Sequence, residues 1–575
     1  MDHQRRDASM NATDRRAIIR VLRLSPIVAE IQQTLDSRRG RHLSVSVEAA
    51  LFALIAAAGK GAGHAARMHR CAALLREGNY ADPAGLPTDL LNQLGRTEDP
   101  EQRRLLMRNF YRRMLRTLDA IGKWGTGTTD NIANIDRLAH TLLLASVPVA
   151  VRAYRSHAFD SAGVQASRRR PPYDGGNNPD RTDTTNDNEE TGRKKRQDLD
   201  RTQAAMRYRT YTTDDGDPIK KELYGYSLHL DARVDPTGND PTLWIGGLKL
   251  TPGNVSEPVT AADLLRLDAR LRNPVVDLVI GDRGYSQSTT LRAAIHDMHG
   301  DLVMDLNNYH EHPFRHPSGI WIFHGAAYDP ATPPDLFRLR RRKQHEPINA
   351  WLTERDRSLG AYRLKLHTQP DIHGTFRVVG NCVRSGVNCS IRPDLGKPGQ
   401  PIYPTLPVAG PTYNICKGKT VQLDRNEFTI PRSNRTDGIP TYQPLPYGSR
   451  EHAAVYGPWR SRTEGALGTL TGHHGLWGGH RGFLAANFDV IQLFVIAAGV
   501  AYNLTRQGHF PADHGTKDMS NDAVLNMPAE ATAALQRLLK SRTRVRDQFD
   551  PSTCPHHDHP TPTPILAGSA NDPPC

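Results

Sequence analysis

Cysteine is scarce in this chain: Cys71, Cys382, Cys389, Cys416, Cys554 and Cys575 are scattered over 575 positions. Such spacing excludes the dense disulfide framework of a small secreted domain and sets the expectation of reduced thiols in a cytoplasm. Long apolar runs are missing too. The longest, Val490 to Ala501 with Gln492 inside it, falls well short of the roughly 20 residues that span a bilayer, so no membrane span is expected. The first 30 residues mix Asp2, Asp7 and Asp14 with six arginines and hold no continuous apolar core, which does not suit a signal peptide. Nor is there a helix-turn-helix signature clear enough to name a recognition helix.

What the chain does have is length and positive charge. At 575 residues and 38% hydrophobic it should hold several domains with ordinary cores. Lys and Arg number 74 against 61 Asp and Glu, a net charge of +13, which favours a polyanionic partner, nucleic acid first, over an acidic small molecule.

The most informative stretch is Val275 to Tyr285, VVDLVIGDRGY. Its β-branched apolar run suits a buried strand that stops at a glycine, an aspartate and a second glycine. Asp282 is thereby set at a strand's C-terminal end, where open α/β sheets leave a crevice for chemistry. The bland alternative is that Asp282 caps the next helix or makes an Asx-turn. Two further acids sit in similar settings. Asp160 follows the strand-like segment Tyr154 to Phe159, and Glu464 lies in PWRSRTEGALGTL, where Pro458 reads as a first helical residue. Two strand tips and one helix would bring these acids to one metal-binding crevice.

Taken in order, residues 1–145 read as a helical, basic domain suited to DNA binding. Leu43 to Ala58 is an apolar helix, and the Thr97 to Glu101 segment starts another. In that second helix Leu106, Phe110, Met114, Leu118 and Ile121 form an apolar stripe, while Arg104, Arg108, Arg112 and Arg116 repeat every four residues on another face. The arginines would lie along DNA phosphates or form a solvated face. Residues 146–310 give strands around Asp160, Tyr224 to Val234 and Pro241 to Leu250. A helix over Pro258 to Leu271, the Asp282 strand, a helix over Thr289 to Met298 and a strand at Leu302 to Leu306 follow. Between them, Arg168 to Asp200 breaks every period and reads as a mobile linker. Short strands between Pro, Gly and Asn make 311–450 a β-rich insertion. Helix returns over 451–506, and 507–575 reads as a largely disordered tail with one helix at Pro528 to Ser541. The expected class is α/β: three strands, helix, strand, helix, strand, as in the ribonuclease-H-like fold.

Asp160 with Ser161, the quartet Asp282, Arg283, Gly284 and Tyr285, and a helix with Tyr456, Arg460 and Glu464 together resemble the DDE transposases of bacterial insertion sequences. More specifically, they resemble the group with a β-rich insertion between the second and third acids. The resemblance covers about residues 145 to 505, and the acids lie 122 and 182 positions apart. It implies a ribonuclease-H-like catalytic core and an enzyme that binds terminal inverted repeats, cleaves them and joins the ends to a target. Asp160, Asp282 and Glu464 would be catalytic and would hold two Mg²⁺ or Mn²⁺ ions, Asp160 bridging both. Arg283, Tyr456, Arg460 and Arg462 would contact DNA. A homodimer acting on double-stranded DNA at the nucleoid, with no membrane, completes the expectation. The chain departs from the family's third motif in two places. Tyr456 lies one residue too far upstream, and Thr471 occupies the usual lysine position, for which Arg462 or His473 would substitute.

The chemistry fits the residue types. Two divalent ions roughly 3.5 to 4 Å apart stabilise the attacking and leaving oxygens of an in-line displacement at phosphorus, and oxygen ligands suit Mg²⁺ or Mn²⁺. The i, i+4 spacing puts Arg460 and Glu464 on one helix face, where Arg460 would orient the carboxylate or clamp a phosphate. Rival acids are Asp231, Asp235, Asp277 and Asp305; Asp231 falls out of step with its strand's apolar face, so solvent exposure is expected for it. Cys382, Cys389 and Cys416 and the CPHHDH segment at Cys554 to His559 are weak zinc candidates. Trp321 and Trp351 would be core residues or would stack on an unpaired base. Against the active transposase stand a catalytically silent, co-opted DNA-binding protein and a metal-dependent nuclease on the same fold.

Overall fold

A computed structural model describes residues 10–37, 43–60, 71–75, 86–165, 204–212, 218–271, 275–286, 288–306, parts of 313–379, 420–424, 429–432, 435–440, 442–474, 488–510 and 529–548. The N-terminal part is helical: α1 (Ala12–Arg23), α2 (Pro26–Asp36), α3 (Val47–Gly59), α4 (Thr88–Arg96), α5 (Pro100–Gly125) and α6 (Asn134–Ala145). Side-chain caps set the starts. Ser46 accepts from the Ala49 N–H, so α3 begins four residues later than its apolar run. Asp99 accepts from the N–H groups of Glu101 and Gln102 ahead of Pro100, which starts α5 where the sequence places it. Along α5, Phe110, Met114, Leu118 and Ile121 are buried and Leu106 is half-buried, while Arg104, Arg108, Arg112 and Arg116 are all exposed.

A six-stranded sheet follows. Its strands are β1 (Ser156–Gln165), β2 (Ala205–Thr212), β3 (Pro218–Val234), β4 (Trp244–Pro252), β5 (Leu278–Gly281) and β6 (Asp301–Met304). Helix α7 (Glu257–Leu271) precedes β5, and α8 (Thr289–Asp297) joins β5 to β6. The long β3 pairs antiparallel with β1 along Gly225–Val234, with β2 in its first half and with β4 in its second. On the other side of β1 lie β5 and β6, both parallel to it. The order through the sheet's centre is therefore β4-β3-β1-β5-β6. The sequence reading missed β2 and the first six residues of β3, although Met206, Tyr208 and Thr210 alternate with Arg207, Arg209 and Tyr211.

Two more expectations are corrected here. Asp160 is inside a ten-residue strand rather than at a strand tip. And β3 is buried on both faces, because helices cover both sides of the sheet. Tyr226, Leu228 and Leu230 face one core, while Ser227, His229, Asp231 and Arg233 on the other face are each no more than 2% exposed. Asp231 is thus not solvent-exposed. It bonds His157 Nδ1 at 2.8 Å; Arg233 reaches His157 Nε2 and ion-pairs with Asp268, so the buried charges satisfy one another. Period two reads which residues share a face, but not whether both faces are covered.

Residues of the insertion form two three-stranded antiparallel sheets, β7 (Phe314–Arg315), β8 (Trp321–Phe323) and β9 (Ala326–Tyr328), then β10 (Lys365–Thr368), β11 (Thr375–Val379) and β12 (Thr420–Asp424). The hairpin β13 (Thr429–Arg432) and β14 (Arg435–Pro440) follows. Trp321 is half-buried against Phe337, with Arg315 over its ring, so it belongs to that small core. Trp351, Cys382, Cys389, Cys416, the 168–200 segment and Cys554 to His559 lie outside the described residues.

Three helices close the chain: α9 (Arg450–Thr471), α10 (Phe488–Arg506) and α11 (Ala529–Gln548). Helix α9 does not start at Pro458. Ser449 caps it by accepting from the His452 N–H, and Pro458 lies inside. Helix α10 is long and apolar enough to cross a membrane by composition, yet 83% of its apolar window is buried inside the protein, as befits a core helix. Within the expected tail, α11 is longer than its sequence signal and packs on α9 through the core residues Leu535 and Leu538. One hydrophobic cluster runs from Met10 in front of α1, through the sheet, to Leu538. The boundary expected near 145 is therefore not a boundary in the packing.

Candidate functional site: three carboxylates around one guanidinium

Register brings the first two acids together. Strands β1 and β5 run parallel, with Ser156 opposite Leu278 and Phe159 opposite Gly281 as the last pair. The next residue on each strand is an aspartate, Asp160 and Asp282. By alternation Asp160 shares the face of Ala158 and Val164, which is the face covered by α9. From that helix Arg460 reaches down. Its Nη1 donates to Asp160 Oδ2 at 2.5 Å, and its Nη2 lies 3.6 Å from Asp282 Oδ2 and 2.8 Å from Glu464 Oε1. The three predicted acids thus meet at a single arginine, with Glu464 placed by the i, i+4 relation on α9.

The other oxygen of each aspartate goes to the backbone. Asp160 Oδ1 accepts from the Ser161 N–H at 2.8 Å, and Asp282 Oδ1 from the Gly284 N–H at 2.7 Å. The second bond is an Asx-turn, which meets that bland reading of Asp282. The capping alternative does not hold: Ser288 caps α8 by accepting from Leu291 N. The turn is pinned from behind by buried Arg292, which donates through Nε and Nη2 to the Ser286 carbonyl. Burial pulls that guanidinium down to about 9.

Exposure differs among the acids. The Asp160 side chain is 7% exposed, Asp282 24% and Glu464 57%. Burial pushes the Asp160 carboxyl up to about 6 and nearby Asp282 adds to this, while Arg460 and the Ser161 N–H hold it down. The buried Tyr285 of the DRGY turn packs against Phe159 behind the acids. Burial, then Glu257, Asp160 and Asp282, raise its hydroxyl well above the usual range.

Among the remaining predicted residues, Tyr456 stands one turn before Arg460, stacked on His452, and burial and Asp305 raise its hydroxyl. Arg283 is exposed and pairs with Asp305 at 3.4 Å. Arg462 is not brought to the acids: its guanidinium lies over the Trp459 ring. Thr471, named above as a departure from the resembled motif, is buried and donates to the Leu467 carbonyl. Asp235 is used in a turn, accepting from Thr237 and Asp240 N–H.

Sequence reasoning missed a second arginine pair. Arg207 on β2 ion-pairs with Glu257, the first residue of α7, and donates to Ser161 Oγ at 3.0 Å. A Cβ on Gly284 would stand 3.8 Å from Glu257 Oε2 and 3.0 Å from Asp282 Oδ1, so Glu257 borders the same turn. No local signal marks a glutamate at a helix start as part of a site 25 residues away.

The donor set, two Asp and one Glu, has the hard oxygens that suit Mg²⁺ or Mn²⁺. Among the described residues no group of three or more His, Cys, Asp or Glu side chains stands in metal-ligand geometry, and Arg460 contacts all three acids. The three acids lie around one arginine. Comparison with known protein families, with curated proteins and with solved structures finds no match to this chain.

Proposed function

We propose that this protein is a transposase of the DDE type, which binds the terminal inverted repeats of an insertion sequence and cleaves and rejoins DNA strands. One observation carries the reading: Asp160, Asp282 and Glu464, far apart in sequence, converge on one guanidinium at the end of the parallel strand pair. The sheet supports a ribonuclease-H-like core, since three antiparallel strands are followed by two parallel to the first, in the order β4-β3-β1-β5-β6. The net charge of +13 and the exposed arginines of α5 support double-stranded DNA as partner. A homodimer in the active complex belongs to the same proposal.

In this mechanism Asp160, Asp282 and Glu464 would hold Mg²⁺ or Mn²⁺, which supplies charge stabilisation for the attacking and leaving oxygens at phosphorus. The chain's own groups do the positioning. Backbone N–H groups fix one oxygen of each aspartate, and α9 holds Glu464 over the same point. Arg460 carries a permanent positive charge at the place where a phosphate would approach. A catalytically silent DNA-binding protein is the second reading, favoured by the closed ion pairs around Arg460. End cleavage in Mg²⁺ and gel-shift binding by Asp282→Asn separate the two. The substitution keeps size and most hydrogen bonding, so cleavage should fail while binding survives. Cleavage that persists rejects the catalytic role, and a wild type that binds ends but never cuts them favours the silent binder.

A further inference from the structure

Both oxygens of each aspartate, and one of Glu464, face a backbone N–H or Arg460. Asp160 gives Oδ1 to the Ser161 N–H and Oδ2 to Arg460; Asp282 gives Oδ1 to the Gly284 N–H and turns Oδ2 toward Arg460. Glu464 turns Oε1 to the same guanidinium. The oxygens left over from the backbone are the ones a divalent cation needs, and Arg460 is on all three. A dication and a guanidinium cannot share that small space, both by size and by like charge.

We propose that Arg460 is a displaceable counter-cation, which holds the three carboxylates together in the metal-free protein and leaves them when a divalent cation enters. The inference rests on the reading above of these acids as a metal site and adds how that site is kept closed. Three carboxylates against one arginine leave a negative excess of two charges, so a cation is attracted even while Arg460 is in place. The energetic weight of the closed state sits on the buried Asp160 contact, because a carboxylate that is 7% exposed needs a cation close by. The exposed pair with Glu464 contributes little. The guanidinium side is partly open to solvent. The Arg460 side chain keeps 23% exposure, and a Cβ on Gly457 or Gly465, on the same helix, would meet nothing within 4 Å. Once displaced, the guanidinium is free for a DNA phosphate, which it can bind in bidentate fashion.

Calorimetric titration of the full-length, metal-free protein with Mn²⁺ tests this. Arg460→Gln, which removes the competitor, should bind Mn²⁺ roughly tenfold or more tightly than wild type, a typical size for coupling between two mutually exclusive ligands. Asp160→Asn should abolish that binding. Equal or weaker binding by Arg460→Gln, with binding still dependent on Asp160, overturns the displacement and leaves the metal site standing. No Asp160-dependent binding in either protein overturns the metal-site reading itself, and the displacement with it. Crystals of the wild type with and without Mn²⁺ give an arm that does not depend on the variant folding. The Arg460 guanidinium should be out of hydrogen-bond reach of Asp160 when Mn²⁺ is bound, and finding both on Asp160 together rejects the proposal.

Discussion

Asp160 and Asp282 are the residues that immediately follow Phe159 and Gly281, the last pair of the parallel β1 and β5 strands, and each offers its Oδ2 to the same guanidinium. Strand register sets these two aspartates side by side, and Arg460 reaches both. The burial that comes with it has a measurable consequence.

Asp160 should make the metal-free protein less stable as pH rises. Its folded-state carboxyl is raised from 3.8 to about 6, so between these values the folded state binds more protons than the unfolded one. Stability from this group is fully present below about pH 4, falls through the window to about pH 6 and is flat above it. The loss is on the order of 3 kcal/mol. Urea midpoints of wild type and Asp160→Asn, measured in chelator across this window, should diverge in favour of the variant. A difference that does not change with pH contradicts the assignment.

The exposed arginines of α5 should supply phosphate contacts. Arg104, Arg108, Arg112 and Arg116 are four residues apart, a rise of about 6 Å each along the helix. None forms an ion pair within 4.0 Å among the described residues. Replacing all four with Ala should lower the log-log salt slope of DNA binding by about 3 to 4, near 0.9 per lost contact. An unchanged slope would make this row an ordinary solvated face.

Asn503 on α10 stitches that helix to a bulge in β4. Its side chain accepts from the Ile245 N–H and donates to the Ile245 carbonyl and to Ser146 Oγ, all buried. Ile245 adjoins Gly246, where the register with β3 shifts. Asn503→Ala should cost about 2 to 3 kcal/mol by leaving these groups unpaired; a loss under roughly 0.5 kcal/mol in urea unfolding would show that water takes over the role.

Gly499→Ala tests whether the N-terminal helices and the sheet share one core. A Cβ there would stand 2.4 Å from Leu248 on β4 and 2.8 Å from Leu143 on α6. Both neighbours must move, at about 1 to 3 kcal/mol. Full-length protein should then unfold in a single transition at lower denaturant, with N-terminal and sheet probes shifting together. Separate transitions would argue for two independent cores.

What the sequence determined by itself is the local chemistry. Apolar alternation ending in Gly281 and Asp282 marks β5 and its turn, Asp99 and Pro100 start α5, and the four-residue repeat sets arginines and apolar residues on opposite faces of that helix. The i, i+4 spacing already pairs Arg460 with Glu464. Local signals failed where a side chain's surroundings come from distant segments. Pro458 looked like a helix start because Ser449, the actual cap, carries no stronger mark of its own. Asp231 looked exposed because period two cannot see α7 and its Asp268 covering the second face of the sheet. Only the tertiary structure decided that Asp160 stands beside Asp282, that Arg460 reaches all three acids, and that Glu257, paired with Arg207, borders the Asp282 turn. Register between β1 and β5 joins residues 122 positions apart, and α9 crosses them from 182 positions further on. No local interaction energy fixes such pairings; they follow from burying both faces of one sheet at once.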